Sequence, residues 1–218
     1  LTNSHKNSCI VNDFCSFAGK EQCNKICGHF IALHGTSGNG GRTGTANIPA
    51  DYRKVTIKNS VVRENQPSIY KFLDTYCDTF NRQFNSNEEA NIKSMYLYSQ
   101  SPGTGKTTTA VAIMNSWIIT HYLGSLKRGR QALQTPAYFL DCNDWQTLFN
   151  EFNRKNIPQD IGEKASAEYY RRMQLAKNSP LVVIDDIGVR DATQAFRGDL
   201  HSVINHRTTN RMPTIYTS

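Results

Sequence analysis

The sequence predicts an α/β fold, a central parallel sheet covered by helices. Three observations lead there. Strand and helix signals alternate through the second half of the chain. One strand, "PLVVID" at 180–185, is an unbroken apolar run of the kind buried on both faces. A glycine-containing loop, "SPGTGKTTTA", sits between a strand signal and a helix signal. In order, Ile69, Phe72, Leu73, Tyr76, Cys77 and Phe80 recur at helical spacing. "MYLYS" (95–99) is a short apolar and aromatic strand. Val111, Met114, Ile118 and Tyr122 mark a helix from about residue 106 to 123. "AYFLDC" (137–142) is the next strand, and "NDWQTLFNEF" a helix capped by Asn143 or Asp144. "KASAEYYRRMQLAKN" predicts another helix, followed by the strand ending at Asp185. Phe196, Leu200, Val203 and Ile204 predict the last helix, and "PTIYTS" the last strand.

Composition divides the 218 residues into three. Residues 1–34 hold four of the six cysteines. Residues 35–47 are rich in Gly, Ser and Thr and predict a flexible linker. Residues 48–218 have the composition of a globular core. No apolar run approaches the ~20 residues of a membrane span, and the N-terminus has no signal-peptide core, so a cytoplasmic location is expected. The formal net charge of +7 favours polyanionic partners.

The loop carries the chemistry. A phosphate-binding loop reads G-x-x-x-x-G-K-[ST] between a strand and a helix. Gly105, Lys106 and Thr107 supply its second half, while Gln100 stands where the first glycine is expected. Such a loop needs backbone N–H groups turned inward at a helix start. Gly103 and Gly105 permit the bend and Pro102 stiffens the approach. The side chain of Gln100 can point away from it. Pro102, Gly103, Thr104, Gly105, Lys106, Thr107 and Thr108 are the expected ATP contacts. Lys106 would neutralise the β and γ phosphates, and the Thr107 hydroxyl would ligate Mg²⁺.

"LVVIDDIG" (181–188) is an apolar strand ending in two carboxylates. Strand ends are where an open α/β sheet presents ligand sites. Asp185 is expected to join Thr107 on Mg²⁺, and Asp186 to orient or deprotonate an attacking water.

"SPGTGKTTTA", "LVVIDDIG" and the closing "NRMPTIYTS" together resemble the AAA+ core of replicative helicase loaders of the DnaC/DnaI type. "ANIPADYRKVTI" (46–57) is similar to the segment that leads into that core. The resemblance implies a three-layer AAA+ α/β sandwich. It implies an ATP-dependent protein that binds the hexameric replicative DNA helicase, places it on single-stranded DNA and self-associates with ATP. Lys106 and Thr107 match the Walker A pair, and Asp185 and Asp186 the Walker B pair. Thr217 would begin the segment resembling sensor 1, so the four expected catalytic residues are Lys106, Asp185, Asp186 and Thr217. The arginine supplied to a neighbouring subunit and the lid would follow Ser218, so the sequence reads as a fragment.

Cys9, Cys15, Cys23 and Cys27 follow the spacing C-x5-C-x7-C-x3-C. Four thiols so placed can close round Zn²⁺, or an iron–sulfur cluster, with His29 and His34 as spare ligands. The segment also resembles the zinc module of DnaI-like loaders, including phage-encoded ones. Two basic clusters, "LKRGR" (126–130) and Arg171–Arg172 after Tyr169–Tyr170, are candidates for single-stranded nucleic acid. Two other readings share the nucleotide loop: a transposition helper of the IstB type, and an adaptor that binds ATP or zinc without hydrolysis.

Overall fold

The structure is a computed structural model and describes residues 9–24, 26–85, 91–188 and 190–218. It contains seven α-helices and four strands among those residues: α1 (Gly28–His34), α2 (Gly41–Thr45), α3 (Pro67–Asp78), β1 (Met95–Leu97), α4 (Lys106–Lys127), β2 (Ala137–Asp141), α5 (Cys142–Phe152), α6 (Gln159–Asn178), β3 (Leu181–Asp185), α7 (Gln194–Thr209) and β4 (Thr214–Thr217). The strands form one sheet in the order β1-β4-β3-β2. β4 pairs in parallel with both β1 (Met95 opposite Ile215) and β3 (Val183 opposite Ile215). The expected α/β architecture with a central parallel sheet is therefore present.

The chain divides into two compact units, residues 93–107 with 138–218, and residues 1–92 with 108–137. In the sheet unit, Trp145 of α5, Tyr169 and Met173 of α6, and Phe196 and Val203 of α7 pack on Tyr138, Leu140, Val182 and Ile184. The alternate strand residues Phe139, Leu181, Val183 and Ile215 are equally buried, as an unbroken apolar strand pattern requires. Trp145 stacks on Tyr169 with ring centroids 4.8 Å apart and donates its indole N–H to the Tyr169 carbonyl at 3.1 Å. This places Tyr169 in the core. Its neighbours Arg171 and Arg172 are tied up as well: both hold Glu168, and Arg172 also holds Asp144. Those two bonds, Arg171 first, pull the Glu168 carboxyl down to about 2. Of this aromatic and basic cluster, Tyr169 is in the core and both arginines are ion-paired, while Tyr170 is exposed.

Arg207 of α7 is wholly buried. Its guanidinium donates to the carbonyls of Ala176 (2.9 Å), Ser179 (2.8 Å) and Pro213 (2.8 Å), and to the Thr214 hydroxyl (2.8 Å). It ties the turn before β3 to the turn before β4. Burial without a carboxylate lowers its pKa to about 10.

The other unit corrects an expectation. Residues 35–47, whose composition predicted a linker, are folded. His34 and Thr43 are buried, and Arg42 is only 6% exposed. Arg42 donates to the carbonyls of Ala32, Ala132 and Leu133, each at 2.8 Å, and its guanidinium lies over the Tyr122 ring at 5.1 Å. The glycines are here for close approach rather than for flexibility. A Cβ on Gly41, whose φ is +59°, would come within 2.5 Å of the Leu33 backbone. The cysteine-bearing start, the glycine segment, α3 and the body of α4 fall in one compact unit. Asn115 of α4 donates to the Val55 carbonyl at 2.7 Å, and Tyr70 of α3 reaches Thr109 of α4 at 3.1 Å.

Two outcomes follow from these contacts. Replacing Arg207 by Met strands the buried carbonyls of Ala176 and Ser179 and should lower unfolding free energy by about 2 kcal/mol or more, read by urea denaturation. Gly41→Ala should cost about 1–3 kcal/mol, because both its φ and its neighbours exclude a side chain. A flexible linker would tolerate that change, so an unaltered melting curve would restore the linker.

Candidate functional site: a phosphate loop facing a buried carboxylate

β1 runs straight into the loop of residues 99–105, and α4 begins at Lys106. Gly103 and Gly105 have φ of +72° and +82°, the left-handed conformation that glycine adopts without strain. Open space surrounds the position a Gly103 Cβ would take. Gln100 is exposed and is not among the residues with positive φ. The backbone there makes no demand for glycine, so its replacement leaves the bend intact. Pro102 is exposed, and Thr104, Gly105, Thr107 and Thr108 are half-buried. The first-turn N–H groups of a helix lack intrahelical acceptors. At the start of α4 they therefore favour an anion. Lys106 lies back over the loop, its Nζ 3.4 Å from the carbonyls of both Ser99 and Ser101.

Across from this loop lies Asp185, the last residue of β3, 4% exposed. The Thr107 hydroxyl is 3.2 and 3.0 Å from its two carboxylate oxygens. The Thr217 hydroxyl, from β4, donates to Asp185 Oδ1 at 2.7 Å and accepts from the Asp186 N–H at 2.9 Å. The sheet order creates this meeting, because β4 lies between the strand that feeds the loop and the strand that carries the acids. Burial raises the Asp185 pKa; the hydrogen bonds from Thr217 and Thr107 oppose that, and the charges of Asp186 and Asp141 add to it.

Beyond β3 the chain turns sharply. Asp186 has φ of +57° and Gly188 of +80°. The Asp186 side chain leaves the buried strand and meets the Asn143 amide, whose Nδ2 donates to its Oδ2 at 3.5 Å. Asn143 lies in the first turn of α5 but does not cap it. Asp141 is the cap, accepting from the Asn143 and Asp144 N–H groups at 2.8 and 3.1 Å. Asn143 is thus a site residue that the sequence signalled only by following a strand end. The segment after Asp186 is held on α5: Gln146 donates to the Asp191 carbonyl at 2.6 Å, and Arg190 to the Thr147 hydroxyl at 2.9 Å.

Mg²⁺ takes oxygen ligands near 2.1 Å in an octahedron, so adjacent ligands lie about 3 Å apart. Thr107 Oγ1 and the Asp185 carboxylate already have that spacing. The donor set fits Mg²⁺, with water and phosphate oxygens completing it. Zinc fares otherwise. Cys9, Cys15, Cys23 and Cys27 line one cavity of about 10 Å³. Among the described residues, however, no three Cys, His, Asp or Glu side chains form a group that could hold a metal ion. Burial leads the forces that raise the Cys9 thiol to about 11, and the other three thiols add to it. The spare ligands are also engaged. His29 Nδ1 meets the Tyr122 hydroxyl at 2.9 Å, and His34 Nε2 accepts from the Ile10 N–H at 3.2 Å. The expected zinc site, or iron–sulfur site, has no support in this geometry.

Among the described residues no helix is long and apolar enough to cross a membrane. No family model matches the chain, and no curated protein does. Among solved structures it is similar to AMPPCP-bound DnaA from Aquifex aeolicus, at 18% identity and a TM-score of 0.46, over 78% of this chain and 43% of that one. It is also similar to a DNA replication initiation factor, at 16% identity and a TM-score of 0.47, over 76% of this chain and 41% of that one. The chain spans less than half the length of either. At these scores neither similarity identifies it.

The buried acid gives a prediction with a definite sign. A carboxyl whose folded pKa lies above its unfolded value binds its proton more tightly when folded, so stability falls as pH rises through that interval. Asp185→Asn removes this charge while keeping an oxygen to accept from the two threonines. Without nucleotide, the variant should melt higher than wild type at neutral pH. The difference should shrink as pH falls through the acid range, as differential scanning fluorimetry across pH would show.

Proposed function

We propose that the chain is an AAA+ type P-loop ATPase acting in DNA replication. On this reading it uses ATP to control its hold on the hexameric replicative helicase during transfer to single-stranded DNA. The observation that carries the nucleotide part is the convergence of Thr107, Asp185 and Thr217 beneath a loop crossed by Lys106. The sheet order β1-β4-β3-β2, with a polar-tipped strand between the loop strand and the acid strand, supports the AAA+ assignment. The helicase and DNA parts are supported by the resemblance of the three motifs to DnaC/DnaI-type loaders.

The chemistry assigns each residue a task. Loop N–H groups and Lys106 neutralise the β and γ phosphates. Thr107 and Asp185 hold Mg²⁺, which when bound draws charge from the phosphates. Thr217 keeps the Asp185 carboxylate turned toward Thr107 through its 2.7 Å bond. Asp186 takes a proton from water as the water oxygen bonds to the γ phosphorus and the bond to ADP breaks. Asn143 restrains the Asp186 carboxylate meanwhile.

Titration calorimetry should show Lys106→Ala binding ATP at least tenfold more weakly, and Gln100→Gly binding it as wild type does. With the hexameric helicase, complex mass should depend on ATP for wild type and lose that dependence in Lys106→Ala. No complex under any condition would sink helicase loading and leave a transposase as the partner to try. A complex indifferent to ATP and to Lys106 would point to an adaptor.

A further inference from the structure

The far end of α4 carries the basic cluster of residues 126–130, and its geometry is unlike a solvated charge run. Arg128 lies over the Phe84 ring, 4.2 Å from the centroid, and donates through Nη1 to the Gly124 carbonyl at 3.0 Å. The His121 ring also stacks on Phe84, with centroids 6.0 Å apart and planes 18° apart. His121 is itself fixed, meeting Gln83 Oε1 at 2.8 Å and accepting from the Leu133 N–H at 3.1 Å. Gly124 makes room for the stack, since a Cβ there would come within 2.3 Å of the Phe84 ring. An exposed arginine is normally a mobile chain; here its plane is set by a ring, a carbonyl and a glycine.

Beside this stack lies a groove of about 430 Å³ whose apolar lining includes Ile57, Ile119 and Leu123. Lys127 and Arg128 stand on its rim, and Arg130 follows them in the chain. Residues 79–85 and 124–134 contain Arg82, Lys127, Arg128 and Arg130 and no acid. Three acids, Asp13, Asp74 and Asp78, also line the groove; Asp74 is held by Arg63 at 2.7 Å and Asp13 by Lys58 at 3.6 Å, which leaves Lys127 and Arg128 as the cations of its α4 side. The volume falls in the range of small-ligand pockets.

We infer that this end of α4 binds single-stranded nucleic acid, one base stacking on the outer face of the Arg128 guanidinium while Lys127 and Arg130 hold the flanking phosphates. The choice of ligand follows from the pairing of features. A planar cation with one face already on a ring offers its other face to a base. Flanking point charges suit a phosphate backbone, and the groove admits a base turned out of the strand. An acidic polypeptide would use the charges but not the stack. The inference rests on the DNA side of the proposed function and names where it resides.

The test is fluorescence anisotropy of fluorescein-labelled oligothymidylate against the full chain over a range of salt. Arg128→Ala should bind about tenfold more weakly, the loss of one stacked base. Arg128→Lys, which keeps the charge and loses the plane, should not rescue it. Arg130→Ala should reduce the slope of log affinity against log salt by about 0.7, one phosphate contact on a single strand. ATP binding should be unchanged in all three, which also shows that they fold. Wild-type affinity in Arg128→Ala would overturn this site while leaving DNA binding elsewhere on the chain intact. Full rescue by Arg128→Lys would overturn the stacking. No oligothymidylate binding by wild type, with uptake of labelled polyglutamate instead, would make the surface a protein-docking one. The proposed nucleotide site would survive each of these results, since Lys106→Ala reports on it separately.

Discussion

A single buried carboxylate organises the sheet unit. Asp185 sits at the end of an apolar strand, where an ion costs free energy unless it is hydrogen-bonded. Its partners come from the first turn of α4, just after the loop that follows β1, and from the end of β4. The loop strand, the acid strand and the strand between them are thereby held in one register at their ends. Thr217 serves twice, donating to the carboxylate and accepting from the Asp186 N–H. That second bond fixes the chain as it enters the left-handed turn that swings Asp186 away from its neighbour. Two adjacent acids thus receive different environments, one enclosed and one half-exposed. Such separation is what a metal ligand and a proton acceptor each require.

The other unit solves a different problem. Its N-terminal part has little apolar side chain to bury, and it relies on backbone carbonyls gathered by buried cations and on close approach at glycine. Arg42 collects three carbonyls from two separate parts of the chain. Arg207 does the same in the sheet unit. In both cases a planar group with five donors gathers several carbonyls at the ends of helices and in turns.

The sheet, the glycine-bearing loop before α4 and the acids at a strand end were legible as structure because their signals are local. An apolar run, a glycine-lysine-threonine turn and a carboxylate at a strand end each declare themselves within ten residues. Asn143 was not legible as a site residue, because its role depends on β2 ending beside β3. The glycine segment misled for a related reason. Composition reports how freely a glycine can turn, but not whether a neighbouring backbone occupies the space its side chain would fill. At Gly41 it does. The cysteine spacing brings four thiols to one cavity, but among the described residues they form no group that could hold a metal ion. Arg171 and Arg172 looked like a surface for nucleic acid, yet Glu168 one turn earlier was already their partner.

The strand order has a consequence for how the protein is made. β4 lies inside the sheet, yet it follows β1, β2 and β3 in the chain. On the ribosome, β1 emerges with no strand to pair with and must wait until nearly all of the described chain has been synthesised. Thr217 arrives last of all the residues around Asp185, so the nascent chain carries an acid strand and a loop strand with unpaired edges and an unsupported charge. Such non-local closure makes folding slow and exposes edges meanwhile. The interval that matters is the one between β1 and β4, during which the loop strand has no neighbour in the sheet.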